Sequence, residues 1–292
     1  MARNLMDKAA AAQLLPPVGL IAQHAGAIIM HYYANTDETA LKLEIKDDNS
    51  PVTAADKAAS DYIVQALTEL TPTIPVVSEE NDTDPNTANG APYWVVDPLD
   101  GTKEFLARTG GFCVKIALIA EGRPVIGVVY SPVQDVLYMG ATGLPAMRQI
   151  GSGAIHTIQT RPAAPAEEAG RLRVLFNQTH ADPALYDATR ERLADILHLP
   201  ETPAIRPGLP RNLQVAQGTA DLHVGTGRDE TLEKGGGYQW DIAADLVILQ
   251  AAGGNMQRLK DGGEVLFTAP RDRLPSYIAY GDAALRYRLT FD

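Results

Sequence analysis

The chain has 292 residues, of which 45% are hydrophobic and 21% charged, and its formal net charge is −11. This length and composition are those of a globular protein that can bury a large core, as one large domain or as two lobes. The acidic balance and the absence of Lys and Arg clusters in the sequence argue against a surface for a nucleic-acid polymer, because binding the phosphate backbone needs a basic patch. A small phosphorylated substrate is not excluded, because bound metal ions can supply positive charge locally.

Cysteine content and hydropathy favour a cytoplasmic protein. Cys113 is the only cysteine, so no intramolecular disulfide can form, as expected in a reducing compartment. Its apolar neighbours predict a small buried residue rather than a reactive thiol. Residues 17–30 are apolar, but Gln23 and His24 interrupt them and the run is too short to cross a bilayer. We therefore expect no transmembrane segment.

The N-terminal part of the chain is predicted to contain two helices and short strands. Apolar residues at helical spacing predict a helix over residues 8–34, and Thr53 is a candidate N-cap for a second helix over residues 54–69. Short strands are predicted over residues 41–46 and 74–77. Residues 81–92 are polar and predict a surface loop or lid.

An antiparallel meander is predicted next, and it is followed by a second lobe. The strands of the meander are predicted over residues 114–121, 123–132 and 136–139. A compositional break at residues 161–170 predicts the division into an N-terminal lobe, 1–160, and a C-terminal lobe, 161–292. Within the second lobe we expect strands at 173–176 and 220–224, helices at 183–197 and 242–252, and a glycine-rich loop at 225–239. The fold class is therefore α+β with layered sheets.

A rigid turn presents two carboxylates directly after an apolar strand. Asp97 ends the apolar run, Pro98 restricts the backbone, and Asp100 follows three residues after Asp97. Carboxylate oxygens are the ligands of hard divalent cations such as Mg²⁺. Gly101 lets backbone N–H groups approach an anion closely. The alternative is a polar turn in which both aspartates only accept hydrogen bonds from backbone amides.

Three further acidic positions lie at a strand end or a helix start: Asp56, Glu79 and Asp241. An acidic residue in a first helical turn is also what simple capping would place there, so capping remains open for Asp56 and Asp241. Glu79, or its neighbour Glu80, could equally be a solvated surface residue. The residues alone leave these alternatives open.

Together these segments resemble the inositol monophosphatase family of magnesium-dependent, lithium-sensitive phosphatases. The resemblance runs from about residue 18 to residue 270, and its blocks are residues 48–56, 78–80, 97–105, 240–241 and 251–254. It implies a layered α-β-α-β-α sandwich of the sugar-phosphatase type. Lys103-Glu104-Phe105 is similar to the 3′(2′),5′-bisphosphate nucleotidase branch, whose members convert adenosine 3′,5′-bisphosphate to AMP and phosphate in sulfur metabolism.

The resemblance also implies a site for two to three Mg²⁺ ions. Glu79, Asp97 and the Leu99 carbonyl would hold one ion. Asp97, Asp100 and Asp241 would hold a second, so that Asp97 bridges the two, and a third would rest on Glu79 and water. Physical chemistry supports such an arrangement, because two metal ions about 4 Å apart can stabilise both the attacking and the leaving oxygen of a phosphate ester.

Catalytic and substrate-binding roles follow from the same resemblance. Asp56 and the Thr102 hydroxyl would orient and deprotonate the attacking water, and Asp100 belongs to the same catalytic group. The backbone amides of Gly101 and Thr102 would bind phosphate oxygens, and Lys103 would lie on the substrate side.

The substrate side departs from the family pattern in two segments. His180, in Asn-Gln-Thr-His, could contact the adenosine or could be an ordinary turn residue. Arg211, in Pro-Gly-Leu-Pro-Arg, could bind a second phosphate with both of its terminal nitrogens. These differences concern the substrate side and not the metal ligands, and inositol monophosphatase activity is the alternative.

Two further positions also depart from the family. Asp245 is one helical turn after Asp241, and an exposed acid is a simpler interpretation than a residue behind the metals. Lys115 interrupts an apolar strand, and the sequence offers no account of it. A silent nucleotide-binding protein is a less favoured hypothesis, since every ligand position is filled. A homodimer is expected from the resemblance alone.

Overall fold

A computed structural model describes residues 8–35, 44–45, 51–83, 90–162, 172–176, 210–225, 237–268, 270–271 and 273–286. Several predicted segments lie wholly or mostly outside these residues. They are the strand at 41–46 apart from residues 44–45, the centre of the 81–92 loop, the compositional break at 161–170, the helix at 183–197 with His180 before it, and most of the 225–239 loop.

The helices of the described residues are α1 (Lys8–Ala34), α2 (Ala54–Leu70), α3 (Thr102–Leu106), α4 (Arg211–Ala216), α5 (Gln239–Ala251) and α6 (Ala283–Arg286). The strands of the N-terminal part are β1 (Glu44–Ile45), β2 (Pro51–Val52), β3 (Val76–Ser78), β4 (Tyr93–Asp100), β5 (Cys113–Ala120), β6 (Arg123–Ser131), β7 (Val136–Ala141), β8 (Met147–Ile150) and β9 (His156–Thr157). The remaining strands are β10 (Val174–Phe176), β11 (Leu222–Gly225), β12 (Asn255–Arg258) and β13 (Tyr277–Tyr280).

Strands β3 to β9 form one seven-stranded sheet in sequence order. The pairs from β4 to β9 are all antiparallel, whereas β3 lies parallel to β4. The predicted meander is therefore confirmed as the centre of a larger sheet. Strand β5 is buried along its whole length, because helices cover both faces of the sheet at this point. The sequence shows the same feature as a nearly unbroken apolar run.

The second sheet has the order β10-β11-β13-β12, with β10 parallel to β11 and the other pairs antiparallel. One buried cluster joins α1 and α2 to the first sheet. Another joins α5 to the opposite face of that sheet and to the second sheet. The layers are thus helices, sheet, helix and sheet, in agreement with the predicted α+β sandwich. The second cluster includes side chains from both sides of the predicted lobe division, which itself stays a prediction.

Helix α1 is long and apolar enough to pass the length and hydropathy test for a membrane span, with a mean hydropathy of 1.2 in its most apolar stretch. The expectation that residues 17–30 are too short to cross a bilayer is neither confirmed nor contradicted by this test, which uses length and composition only. However, 44% of the most apolar stretch of α1 is buried inside the protein, and α1 packs against α2 and the first sheet. That packing is typical of the core helix of a soluble protein.

The ends of two helices follow local sequence signals. Thr53 is the N-cap of α2, and its hydroxyl accepts a hydrogen bond from the Ala55 N–H. Helix α5 begins at Gln239, three residues before the predicted start, and the chain leaves it through Gly253 with a φ of +103°. A glycine accepts that left-handed conformation without the cost that a Cβ would add.

Candidate active site

The site begins where the buried strand β4 reaches the protein surface. Asp97 is 2% exposed, and its Oδ1 accepts a hydrogen bond from the Leu99 N–H at 3.0 Å. The pairing of β4 with β5 shifts between Asp97 and Asp100. This irregularity spans Pro98, and the side chain of Asp100 beyond it is 36% exposed.

Gly101 connects β4 to the short helix α3 through a turn that only glycine adopts readily. Its φ is +97°, and a Cβ at this position would lie 2.8 Å from the Gly111 carbonyl oxygen. Both the conformation and the close backbone approach therefore exclude a side chain. The turn places Thr102 at the first position of α3, directly beside the aspartates.

Thr102 and Asp56, which are 46 residues apart in the chain, are brought together at this turn. The Thr102 Oγ1 lies 3.1 Å from Asp56 Oδ1 and 3.3 Å from the Leu99 carbonyl oxygen. The hydroxyl can donate its single proton to either acceptor. The other oxygen of Asp56 accepts hydrogen bonds from the Thr53 N–H at 2.8 Å and the Thr53 hydroxyl at 2.6 Å. Burial raises the pKa of Asp56, although the bonds from Thr53 and Thr102 oppose the shift.

Asp241 enters the site from the first turn of α5. Its Oδ2 accepts a hydrogen bond from the Tyr238 N–H at 2.7 Å, in the same capping arrangement that Asp56 has in α2. The capping interpretation is therefore correct for both residues, but it accounts for only one oxygen of each carboxylate. Gly237 packs directly on Asp241, since a Cβ there would lie 2.5 Å from Oδ2.

Four carboxylates act electrostatically on one another at this place. Burial first, and then the charges of Glu79, Asp100 and Asp241, raise the pKa of Asp97 well above its ordinary value. Burial, together with Asp100 and Glu79, raises the pKa of Asp241 to about 7. Carboxylates held this close repel one another unless a cation lies between them. Their hard oxygen atoms fit Mg²⁺ or a similar ion.

The carboxylates are not arranged around one common position, as the ligands of a bound metal ion would be. Among the described residues, no three His, Cys, Asp or Glu side chains have the arrangement of a formed metal site. Asp97 and Asp241 each commit one oxygen to a backbone N–H, so a metal ion would bind through their second oxygens. We expect metal binding to require only small side-chain rotations. The negative charge of the cluster already favours a bound cation.

Lys115 is a charged member of the site whose role sequence reasoning missed. It is 4% exposed in the middle of β5, and its Nζ lies 2.8 Å from Asp100 Oδ2 and 3.2 Å from Asp245 Oδ2. It also donates to the Asp241 carbonyl oxygen. Burial alone would lower the pKa of Lys115, but Asp100 and Asp245 raise it well above its ordinary value.

Asp245 is buried, not exposed. The interpretation of this residue as a surface acid was wrong, since only 1% of it is accessible. The signal that could have found the pair is local. A lysine interrupts an otherwise apolar strand, and an aspartate interrupts an otherwise apolar helix. A buried charge needs a partner of opposite sign, so each of the two residues implies a partner such as the other.

The predicted substrate residues are only partly brought to the site. Lys103 is exposed in the first turn of α3. Arg211 begins α4 and is partly buried. His223 lies close to Arg211: burial holds the pKa of this histidine well below its ordinary value, and the charges of Arg211 and Lys115 lower it further. His180 lies outside the described residues. Cys113 is buried, as expected.

Comparisons with known sequences identify the family of the chain. The sequence profile of the inositol monophosphatase family matches residues 14–284. The chain is 37% identical over 260 residues to the 3′(2′),5′-bisphosphate nucleotidase CysQ of Escherichia coli K12, which covers 89% of this chain and 95% of that protein. The protein of the same name from Salmonella typhimurium is 37% identical over 263 residues, with the same coverage.

Solved structures give the same result. The crystal structure of CysQ from Bacteroides thetaiotaomicron has a TM-score of 0.73 and 28% identity, covering 95% of this chain and 99% of that one. The extragenic suppressor protein suhB from Bartonella henselae, with a TM-score of 0.71 and 24% identity, covers 94% of this chain and 95% of its own, and it supports the fold alone. By fold and sequence, the chain belongs to the inositol monophosphatase family, in the branch that contains the CysQ proteins.

Proposed function

We propose that this protein is a 3′(2′),5′-bisphosphate nucleotidase, a metal-dependent phosphomonoesterase that removes the 3′-phosphate of adenosine 3′,5′-bisphosphate. Water attacks the phosphorus, the bond from phosphorus to the 3′ oxygen breaks, and that oxygen takes a proton to give AMP and inorganic phosphate. The reaction class is supported by family membership and by the CysQ relatives that carry this name.

The observation that carries the proposal is the group of mutually interacting carboxylates around Asp97. In the proposed assignment, Glu79, Asp97 and the Leu99 carbonyl hold one Mg²⁺. Asp97, Asp100 and Asp241 would hold a second, and a third ion would rest on Glu79 and water. Metal ions bound here supply the positive charge that a phosphate dianion needs and make water a better nucleophile at neutral pH.

Asp56 and Thr102 are the proposed groups that handle the proton of the attacking water. The Thr102 hydroxyl can accept a hydrogen bond from water while it donates its own proton to Asp56 Oδ1, 3.1 Å away. Thr53 holds the other oxygen of Asp56, so the carboxylate keeps a fixed orientation. The raised pKa of Asp56 makes it a better proton acceptor near neutral pH than an ordinary carboxylate.

Phosphate binding is assigned to the backbone of the β4–α3 turn. The amides of Gly101 and Thr102 are positioned by the left-handed conformation of Gly101 and would donate to phosphate oxygens. We assign Lys103, Arg211 and His180 to the substrate side, where a basic residue can contact the second phosphate of the nucleotide. We also propose that the enzyme is cytoplasmic and homodimeric. Light scattering on purified protein tests the dimer.

A substrate comparison tests the function. Initial rates of phosphate release are measured with adenosine 3′,5′-bisphosphate and with inositol 1-phosphate, each with saturating Mg²⁺. We expect kcat/KM to be higher for the nucleotide by about tenfold or more, because only the nucleotide offers a second phosphate and a base to bind. A higher value for inositol 1-phosphate would assign the chain to the sister activity. Calorimetry that shows nucleotide binding without turnover would favour a silent binding protein.

A further inference from the structure

Lys115 contacts a chain of buried polar side chains that begins at Asp245. Asp245 Oδ2, which contacts Lys115, also accepts a hydrogen bond from Asn212 Nδ2 at 3.1 Å. Asn212 in turn contacts His223 at 2.6 Å and the Tyr277 hydroxyl at 3.2 Å. The members of this chain are Lys115, Asp245, Asn212, His223 and Tyr277, and each is at most 4% exposed. These contacts and the burial of the chain therefore limit the movement of the Lys115 ammonium group.

The Lys115 ammonium group also contacts one particular oxygen of Asp100. Oδ2 of Asp100 lies 2.8 Å from Lys115 Nζ, and the Cys113 thiol lies 3.7 Å from the same oxygen. No hydrogen bond or ion pair to Oδ1 is found within the described part of the chain. Oδ1 is therefore the oxygen that remains available on the exposed side of this carboxylate.

We propose that Lys115 is a positioning residue that makes Asp100 a one-oxygen metal ligand and thereby favours Mg²⁺ over Ca²⁺. Mg²⁺ takes six oxygens in an octahedron and is bound by single carboxylate oxygens, whereas Ca²⁺ takes six to eight and often binds both oxygens of one carboxylate. With Oδ2 held by Lys115, only Oδ1 can reach an ion. The inference rests on the proposed function, because it requires that Asp100 is a metal ligand.

The test measures the ratio of the Ca²⁺ and Mg²⁺ dissociation constants by calorimetric titration of the metal-free full-length protein. The main variant, Lys115→Met with Asp245→Asn, removes the ion pair without changing the net charge of the site. Methionine fills the volume of the lysine stem, and asparagine keeps the shape of the aspartate. Both cations carry the same charge, so a general electrostatic change affects both constants equally. The ratio isolates the coordination geometry of Asp100.

We expect the ratio of the Ca²⁺ constant to the Mg²⁺ constant to fall by about tenfold in the double variant, because both oxygens of Asp100 then become available to Ca²⁺. Asp245→Asn alone leaves Lys115 on Asp100 and should keep the wild-type ratio. If the main variant does not fold, Lys115→Leu with Asp245→Asn, which also leaves no donor for Asp100 at position 115, gives the same comparison. An unchanged ratio in a folded double variant would overturn the inference.

A second ion pair, between the buried Asp221 and the partly exposed Arg173, provides the control. Arg173 Nε lies 3.2 Å from Asp221 Oδ2, the distance of the Lys115–Asp245 pair, and Asp221 is also buried. Arg173→Gln with Asp221→Asn should lower stability and leave the ratio unchanged. An equal change of the ratio in this control would show that loss of stability alone alters selectivity and would overturn the inference. Absence of metal binding to the wild-type protein would instead contradict the proposed function.

Discussion

At the residue scale, Asp56 and Asp241 each have two roles, one in capping a helix and one in the candidate site. One oxygen accepts a backbone N–H and caps a helix. The other oxygen of Asp56 faces Thr102, and the charge of Asp241 acts on Asp97. The choice between capping and catalysis that the sequence leaves open is therefore not exclusive, because a carboxylate has two oxygens and a cap uses one.

Asp241→Asn should separate these two tasks. The amide oxygen of asparagine can still accept the Tyr238 N–H, so the start of α5 and the fold should persist. Loss of the negative charge should lower kcat by about a hundredfold or more at saturating Mg²⁺, because the proposed second ion would lose a ligand. Steady-state kinetics measure the effect, and Asp61→Asn, the same substitution at an exposed position of α2, is the control. Turnover close to wild type would contradict the assigned role.

At the scale of elements, the site depends on a short turn between a buried strand and a short helix. Strand β4 and α3 meet at Gly101, and its left-handed backbone places Thr102 beside Asp56. Glycine was expected here because backbone N–H groups approach an anion. The structure adds a second reason, since the Gly111 backbone approaches this residue from the other side.

Gly101→Ala should therefore destabilise the protein more than an ordinary substitution of a left-handed glycine. Gly122→Ala is the matched control, because Gly122 has a φ of +71° but its added Cβ would meet no atom closer than 3.7 Å. We expect a loss of about 1 kcal/mol for the control and about 2–3 kcal/mol for Gly101→Ala, with lower kcat. Urea denaturation measures both variants. Equal losses would show that the contact with Gly111 is unimportant.

At the scale of the whole molecule, stability is coupled to proton and metal binding. Asp97 and Asp241 have raised pKa values in the folded protein, that of Asp241 reaching about 7. At pH values between the ordinary carboxylate pKa and this raised pKa, the folded state binds more protons than the unfolded state. The free energy of unfolding of the metal-free protein therefore falls as the pH rises through this range. Mg²⁺ reverses the effect, because it stabilises the ionised carboxylates.

Thermal denaturation tests this coupling. It is measured at about four pH values between 5 and 8, once with EDTA and once with saturating Mg²⁺. We expect the Tm of the metal-free protein to be lower at pH 8 than at pH 5, and Mg²⁺ to raise it most at pH 8. Asp241→Asn should reduce this pH dependence in EDTA, since asparagine does not titrate. A metal-free Tm that rises with pH, in parallel for wild type and variant, would contradict the coupling.

Much of the fold and part of the site could be predicted from the sequence. The bounds of α1 and α2, the Thr53 cap and the antiparallel strands follow from hydrophobic spacing and capping, which act within a few residues. The acidic positions Asp56, Asp97 and Asp241 could be nominated because each stands at a strand end or helix start. The contact between Lys115 and Asp245 could not, since their apolar surroundings imply that each needs a partner of opposite sign but do not say which residue it is.

By itself, therefore, the sequence determined the local helices and strands, the acidic residues of the candidate site and the family pattern around residues 97–105. Only the tertiary structure decided which distant groups meet. Thr102 reaches Asp56, and Lys115 pairs with Asp245 across 130 residues and with Asp100. It also showed that α1 packs against α2 and the first sheet. The physical reason is that capping and periodicity depend on neighbours in the chain, whereas burial and ion pairing depend on which surfaces pack together.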